Sequence, residues 1–457
     1  MKQEAFKPFR RSRGRRDVWI RLVLLVLLTI MAPTAFSQQP PGAARPRIHG
    51  PLTVEQAVTA GLQYNLELKA AQAGVRAARA EKEAARSATR PQVSANTYLT
   101  TGDMPNVMPV SPGAMPPNYN LTPSKGNADQ NLTLMVPLYT GGRLGNLVRA
   151  AARREDAASA EEQGARADVV LRVREAYYRA LLAKEMVKAA QARLDADTAM
   201  LQTVRSQFEA GKGIEASVRR VEAEQADAQR ILTSTQADEA KALLDLKTAM
   251  GVNLDSDIVL SDELAFTPPS DTLNAQLEEA GRSRPEVQAA RFRTAAARAQ
   301  TNAAKGSLQP QIYATAMADV FQPYRMRGGT GYTVGLTVSL PVLDGGQRRA
   351  EIAGARAMQQ HTEAQLSDLE LQVENEVRQA WLDVETAAQN YRTAQAALQA
   401  AQAAYDVTAL RVQNQKGILV EQLDALAALT QARANLAQAL YDHAAARARL
   451  QRVVGTL

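Results

Sequence analysis

The side chains that most often carry chemistry are sparse in this chain of 457 residues. There are three histidines, His49, His361 and His443, far apart in sequence, and no cysteine. A bound metal needs several His, Cys or carboxylate ligands at set spacings. His361 and His443 instead fall in stretches of helical pattern, where solvated surface positions are expected. Without cysteine there can be no disulfide, no thiolate ligand and no acylated-cysteine lipid anchor. No Ser/His/Asp order, phosphate-cradling glycine loop or paired-carboxylate setting occurs. The sequence predicts no catalytic, cofactor-binding or metal-binding residues and no enzyme, and points to a function carried by architecture.

Composition says which architecture. Hydrophobic residues make up 46% of the chain but aromatic residues only 5%, and the apolar count is mostly alanine. Alanine is the best helix former and buries little area per residue, so long, slim, closely approaching helices are expected rather than one wide core. The formal charge of +7 could suggest a nucleic-acid partner, but residues 1–37 hold eight basic and two acidic groups, leaving only +1 for the rest. That basic run leads into the apolar segment Leu22–Met31 and then Ala35-Phe36-Ser37, the order of a signal peptide ending at residue 37. A single membrane anchor would need about 20 apolar residues, and Arg21 interrupts the run. Arg15-Arg16 reads as part of an ordinary basic n-region. The chain is expected to be exported and to bind no nucleic acid.

An internal duplication organises the remainder. Val136-Pro137-Leu138-Tyr139-Thr140-Gly141-Gly142 returns as Leu340-Pro341-Val342-Leu343-Asp344-Gly345-Gly346, at an offset of 204. Val173-Arg174-Glu175-Ala176-Tyr177 returns as Val377-Arg378-Gln379-Ala380-Trp381, Gly213-Ile214 as Gly417-Ile418, and Gly251 as Gly455, in the same register. Upstream the offset is 219: Pro91-Gln92-Val93 answers to Pro310-Gln311-Ile312, and Asn65-Leu66-Glu67-Leu68 to Arg284-Pro285-Glu286-Val287. The 15-residue difference is an insertion within residues 103–129, a proline-rich stretch expected to be a loop.

Four segments alternate with period two. Leu132, Leu134, Val136 and Leu138 form one clear set and Val334, Leu336, Val338 and Leu340 another; Val93 to Leu99 and Ile312 to Ala318 are weaker versions. A soluble sheet covered on one side gives the same pattern, as does a tilted transmembrane strand of about 10 residues. Four strands cannot close a membrane barrel, and an open edge is not tolerated in lipid. Subunits would therefore share one: two copies give eight strands around a filled interior, three give twelve around a passage.

The resulting layout is a signal peptide, 1–37; an N-terminal linker, 38–51; a first repeat, 52–251; an equatorial linker, 252–270; and a second repeat, 271–457. The first repeat is expected to hold a helix from about 52 to 90, strands near 91–102 and 130–140, a long helix 143–210, a tip near 211–213 and a helix 217–250. In the second, strands are expected near 310–320 and 331–343, a long helix at 347–414, a tip near 417 and a helix at 420–454. No proline occurs from 138 to 267 or after 341, so the long helices can run for ~100 Å. Val169, Val173, Tyr177, Ala180, Leu181 and Lys184 trace a narrow coiled-coil stripe.

The order of these features, with Leu52-Thr53-Val54-Glu55-Gln56-Ala57, Arg284-Pro285-Glu286-Val287, the two Pro-x-x-x-Gly-Gly strand ends and Leu423-Asp424-Ala425, resembles the TolC family of outer-membrane factors. The resemblance covers nearly all of the chain beyond the signal peptide. It implies a mainly α protein with a transmembrane β portion: a homotrimer whose 12-stranded barrel in outer-membrane lipid continues into a 12-helix periplasmic α-barrel, with a collar near 251–285. It also implies the exit duct of a tripartite efflux or type I secretion system, opened by a periplasmic adaptor (membrane fusion protein) and an inner-membrane pump of RND, ABC or MFS type. Gly211, Gly213 and Gly417 would lie at the adaptor-docking tips, and Glu421 and Asp424, on one helical face, would form the pore constriction. Their first-copy counterparts are Ser217 and Arg220, and the family's latch positions fall on Val412 and Gly417. A periplasmic adaptor and a coiled-coil scaffold are the alternatives; an adaptor should have one hairpin and more β structure, and a scaffold would not need four alternating strands.

Overall fold

A computed structural model describes residues 45–101, 126–268, 272–323, 329–414 and 416–457. The expected signal peptide, the first half of the linker 38–51 and most of the loop 103–129 lie outside these residues. The strands are β1 (His49–Leu52), β2 (Gln92–Thr101), β3 (Gly126–Tyr139), β4 (Asp257–Leu260), β5 (Gln311–Pro323) and β6 (Gly329–Ser339). The helices are α1 (Val54–Tyr64), α2 (Leu66–Ser87), α3 (Arg143–Glu209), α4 (Glu215–Met250), α5 (Leu273–Ser283), α6 (Pro285–Gly306), α7 (Gln347–Gln413) and α8 (Leu419–Val454). None of the described helices is long and apolar enough to cross a membrane.

The duplication is preserved to the residue. α3 and α7 each span 67 residues and α4 and α8 each span 36, their ends 204 apart. α1 and α5 span 11 residues and α2 and α6 span 22, with ends 219 apart. Strand pairing follows the same arithmetic. Val93 lies opposite Leu134 in the β2–β3 hairpin, and their counterparts Ile312 and Val338 lie opposite each other in β5–β6. The antiparallel sheet runs β2-β3-β5-β6, so both repeats contribute one hairpin each and meet where β3 pairs with β5.

Local signals set the helix ends. Thr53 starts α1 with a capping box: its Oγ1 accepts from the Gln56 amide at 3.3 Å while the Gln56 Oε1 accepts from the Thr53 amide at 2.9 Å. The single helix expected from 52 to 90 is in fact two, because Asn65 adopts extended backbone and restarts the chain. Its Oδ1 accepts from the amides of Glu67 and Leu68, and its Nδ2 donates to the Ala249 carbonyl at 3.0 Å. In the second repeat Arg284-Pro285 makes the same break, since proline cannot continue a preceding helix. The hairpin helices begin at Glu215 and Leu419 rather than 217 and 420, and β6 ends at Ser339 rather than 343.

The two expected linkers also contain structure that alternation could not reveal in four-residue pieces. β1, in the N-terminal linker, pairs in parallel with β4, in the equatorial one, from His49–Asp257 to Leu52–Leu260. Under this pair lies the first core: Leu52, Val169, Val173, Tyr177, Leu181, Leu246 and Met250. The Tyr177 hydroxyl donates to the Leu52 carbonyl at 2.8 Å, and burial pushes its pKa up to about 12. Lys184, at the end of the same stripe, donates to the Leu260 carbonyl at 2.9 Å. The second core repeats the first: Val373, Val377, Val384, Leu450 and Val454.

The repeats are joined by ion pairs as well as by the sheet. Arg452 is buried; its Nε donates to Asp168 at 2.7 Å, and it also binds Glu286, which accepts from Arg284 at 3.1 Å. Burial pushes the Glu286 carboxyl up, but the hydrogen bond and charge of Arg452, a backbone hydrogen bond and the charge of Arg284 together outweigh it, and the pKa is held below the ordinary range. Arg452 and Arg284 are the buried members, and removing their carboxylate partners costs up to about 3–5 kcal/mol by leaving a buried charge unpaired.

The contact between the end of α4 and the break after α1 gives a test. Gly251 has φ of 72°, and a β-carbon there would lie 2.9 Å from the Tyr64 carbonyl oxygen. Gly251→Ala should lower stability by about 1–3 kcal/mol, read as a lower urea midpoint at unchanged slope; an unchanged midpoint would remove this contact from the account.

Candidate functional site

Two regions at opposite ends of α3 and α7 carry the features a function could use. At one end are the turns between helices. Residues 210–214 join α3 to α4 and residues 414–418 join α7 to α8. Gly211 takes positive φ, 70°, and its amide donates to the Phe208 carbonyl. Gly213 and Gly417 do different work: a β-carbon on Gly213 would lie 3.1 Å from the Phe208 nitrogen, and one on Gly417 would lie 3.0 Å from the Val412 nitrogen. Each turn therefore folds back against the helix it leaves.

The tips pack on each other through Leu423 of α8, buried against Met200, Leu201, Val204, Val218 and Val221 of α3 and α4. Beside this contact a cleft of about 940 Å³ opens between the hairpins, lined among others by Thr203, Ile214, Tyr405, Leu410 and Leu419. Glu421 and Asp424 flank Leu423 on the exposed side of α8. The structure thus brings the two expected carboxylates onto one surface. Glu421 also lies 3.7 Å from Arg411 across its own tip, a weak exposed ion pair. The first tip carries ion pairs elsewhere on its surface: Glu222 accepts from Arg205 at 2.7 Å and from Arg219 at 3.1 Å, and Glu215 pairs with Arg219 at 3.2 Å; the counterparts of Glu421 and Asp424 there are Ser217 and the exposed Arg220. Sequence reasoning missed Leu423 as the lock between tips, although its spacing to Leu426 and Leu429 marks the buried face of α8.

At the other end the sheet has two unlike faces. Residues opposite one another across paired strands share a face. One face therefore holds Val93, Leu132, Leu134, Val136, Ile312, Ala314, Val334, Leu336 and Val338. The other holds Ser94, Asn96, Asn131, Thr133, Thr315, Thr333 and Thr337, with Asn96 donating to Asn131 at 3.0 Å. Val334 and Leu336 are 75% and 68% exposed, so the apolar face is uncovered in the single chain. β2 and β6 each pair along one side only within the sheet order.

The chain that forms this two-faced sheet and helices of ~100 Å also matches a family model described as outer membrane efflux protein, over residues 58–252 and 277–456. The chain belongs to the outer membrane efflux protein family. This efflux protein is 24% identical over 368 residues to the outer membrane efflux protein BepC of Brucella suis biovar 1 (strain 1330), covering 78% of this chain and 74% of BepC. It is 26% identical over 313 residues to the fusaric acid resistance protein FusA of Burkholderia cepacia, covering 65% of this chain and 58% of FusA. Its fold matches the outer membrane protein VceC of Vibrio cholerae with a TM-score of 0.73 at 19% identity, over 88% of this chain and 96% of that one. The family is one of transport channels of the outer membrane, with helices in the periplasm, rather than of enzymes.

One histidine of this efflux protein differs from expectation. His361 is exposed, but His443 is completely buried in α8, and neither ring nitrogen has a hydrogen-bond partner. Phe266, from the segment after β4, lies between α7 and α8: its ring centroid is 4.3 Å from Tyr391 and 4.6 Å from His443. The polar surface position read from the helical pattern could not register an aromatic arriving from a linker. Burial, with a smaller contribution from the charge on Arg447, holds the His443 pKa below the ordinary imidazole value.

The pH consequence follows from that direction. The unfolded chain takes up a proton at His443 as pH falls through the ordinary range while the native ring stays neutral, so stability present above that range is lost on acidification toward the depressed value. His443→Phe should therefore shrink the drop in urea midpoint between pH 7.5 and 5.5. An identical drop in wild type and variant would exclude His443 as its source.

Proposed function

We propose that this efflux protein is the outer-membrane exit duct of a tripartite efflux or type I secretion system. Three copies would share one 12-stranded barrel whose helices continue as a 12-helix tunnel in the periplasm. The observation that supports this most is the four-stranded sheet, with one apolar face and a one-sided strand at each edge, at the end of helices ~100 Å long. Three copies supply twelve strands, enough to leave a passage lined by the polar face. The helical tips then reach toward the inner membrane, where the turns around Gly211, Gly213 and Gly417 would receive a periplasmic adaptor, and an inner-membrane pump of RND, ABC or MFS type would select the cargo.

In this reading Glu421 and Asp424 form the constriction. The exposed pair would recur three times around the axis, and six carboxylates at a narrow neck attract cations and repel anions through focused fields. The double variant Glu421→Gln, Asp424→Asn should lower cation selectivity in planar bilayers and weaken block by multivalent cations, with normal yield of the assembled protein. Unchanged selectivity and block would place both residues outside the pore.

The insertion gives an independent check of orientation. Residues 102–125 join the ends of β2 and β3 remote from the helices, since Thr101 pairs with Gly126 there. An epitope inserted near Pro112 should be reached by antibody on intact cells. Labelling only after the outer membrane is permeabilised would reverse the topology.

A further inference from the structure

The two ends of the helices differ in charge. The stretches of fourteen residues that meet the sheet, 77–90, 143–156, 296–309 and 347–360, hold thirteen basic and five acidic side chains. Stretches of the same length at the tips, 196–209, 215–228, 400–413 and 419–432, hold four basic and nine acidic ones. Positive charge is thus concentrated at the sheet end, although the chain beyond residue 37 is nearly neutral as a whole.

In the second repeat this charge lies on a face whose direction follows from the packing. Arg349, Arg356, Glu363, Glu370 and Val377 follow one another at intervals of seven on α7, as Arg291, Arg298 and Lys305 do on α6, a spacing that keeps side chains on one stripe of a helix. The two stripes are adjacent: Arg291 pairs with Glu370 at 3.1 Å and Arg298 with Glu363 at 3.2 Å. Val377, at the far end, is buried together with Val287 of α6 and Ala280 of α5. α5 is therefore a second layer over this face. In a tunnel a second layer lies outside, since inside it would fill the passage. The stripes face outward.

Next to the sheet their character changes. Thr301 donates to the Ala355 carbonyl at 3.1 Å, which sets Lys305 alongside the first turns of α7. Lys305, Arg349 and Arg356 are exposed and form no ion pair among the described residues. In the links between these helices and the strands, Leu308 is 47% exposed, Val342 91% and Leu343 93%. Uncovered apolar side chains bordered along the chain by free cations suit a boundary where acyl chains give way to headgroups.

We propose that Lys305, Arg349 and Arg356 form a collar that binds the phosphates of anionic phospholipids in the membrane leaflet on the helix side. This rests on the barrel reading, which sets the apolar face of the sheet in lipid, and deepens it by naming the lipid chemistry and the residues. Each arginine presents paired N–H donors that match two phosphate oxygens, and the lysine adds a point charge. A basic residue near an anionic membrane surface is worth about fivefold in binding, so three give a preference of roughly tenfold or more after partial screening. Glu363 and Glu370 already neutralise the next cations down, Arg298 and Arg291, so the collar is one layer deep.

The test uses the full protein in vesicles of equal phosphatidylglycerol and phosphatidylcholine, extracted in mild detergent, with the retained lipid measured by mass spectrometry. Wild type should retain phosphatidylglycerol roughly tenfold over phosphatidylcholine at low salt, falling toward parity at high salt. The triple variant Lys305→Gln, Arg349→Gln, Arg356→Gln should retain both equally. Lys305→Arg, Arg349→Lys, Arg356→Lys keeps the charge and should keep the preference, which separates lost charge from lost folding. Removing three exposed cations elsewhere, by Arg220→Gln, Arg230→Gln, Lys241→Gln, should also leave it intact. A preference that survives the first variant, or falls equally in the last, overturns the collar. Wild type that floats with the vesicles but shows no preference overturns the collar alone, whereas wild type that does not float with them overturns the barrel reading.

Discussion

A strand edge in hydrocarbon has nowhere to put its hydrogen bonds, and this constraint governs the molecule. Each edge of the sheet would leave roughly ten backbone groups unpaired, at several kcal/mol apiece in lipid, against a typical stability of only about 5–15 kcal/mol for a folded domain. No rearrangement inside one chain removes that deficit, because four strands are too few to curl shut. The apolar face raises the same demand from the other direction, since Val334, Leu336 and Val338 stand uncovered in the single chain and in the proposed barrel would face lipid. Alternation, edge and long helix are thus parts of one solution rather than separate features.

Duplication solves the geometric problem and then lets the copies diverge. The helices were kept to the residue, down to the glycines of positive φ that end α4 and α8. Side chains differ between the two copies. The junction made inside the chain acquired a buried Arg452 paired with Asp168 and Glu286, so that the arginine's charge is not left alone. The tips diverged as well: Arg219 is fully engaged by two glutamates, while Glu421 has only a distant Arg411 and Asp424 stands exposed beside it.

Much of this was legible because long proline-free helices and alternating strands are signals summed over many residues. Pro, Gly and aromatic matches at constant offsets revealed the repeat, and Val169, Val173 and Tyr177 fell on the buried stripe as their spacing implied. What escaped was short or non-local. β1 and β4 have four residues each, too few for a period, and their partnership spans more than two hundred residues. His443 looked like a surface histidine because a lone histidine in a helical stretch is solvated by default, and Phe266, which covers it, comes from a segment with no pattern of its own. The break at Asn65 was hidden because an asparagine can sit in a helix; only its bonds to Glu67, Leu68 and Ala249 show why it does not.

The parallel pairing of β1 with β4 also sets an order of events. The chain enters its first repeat at residue 49 and seals it at residue 260, so the knot of Leu52, Tyr177 and Leu260 is complete before any of the second repeat is needed. Closing a loop of that length is entropically costly, but the cost grows only slowly with length, and the core beneath repays it locally. A chain threaded through an export channel from its N-terminus can thus fold half of itself first. The second half then finds a finished template, α3, on which to lay α6 and α8.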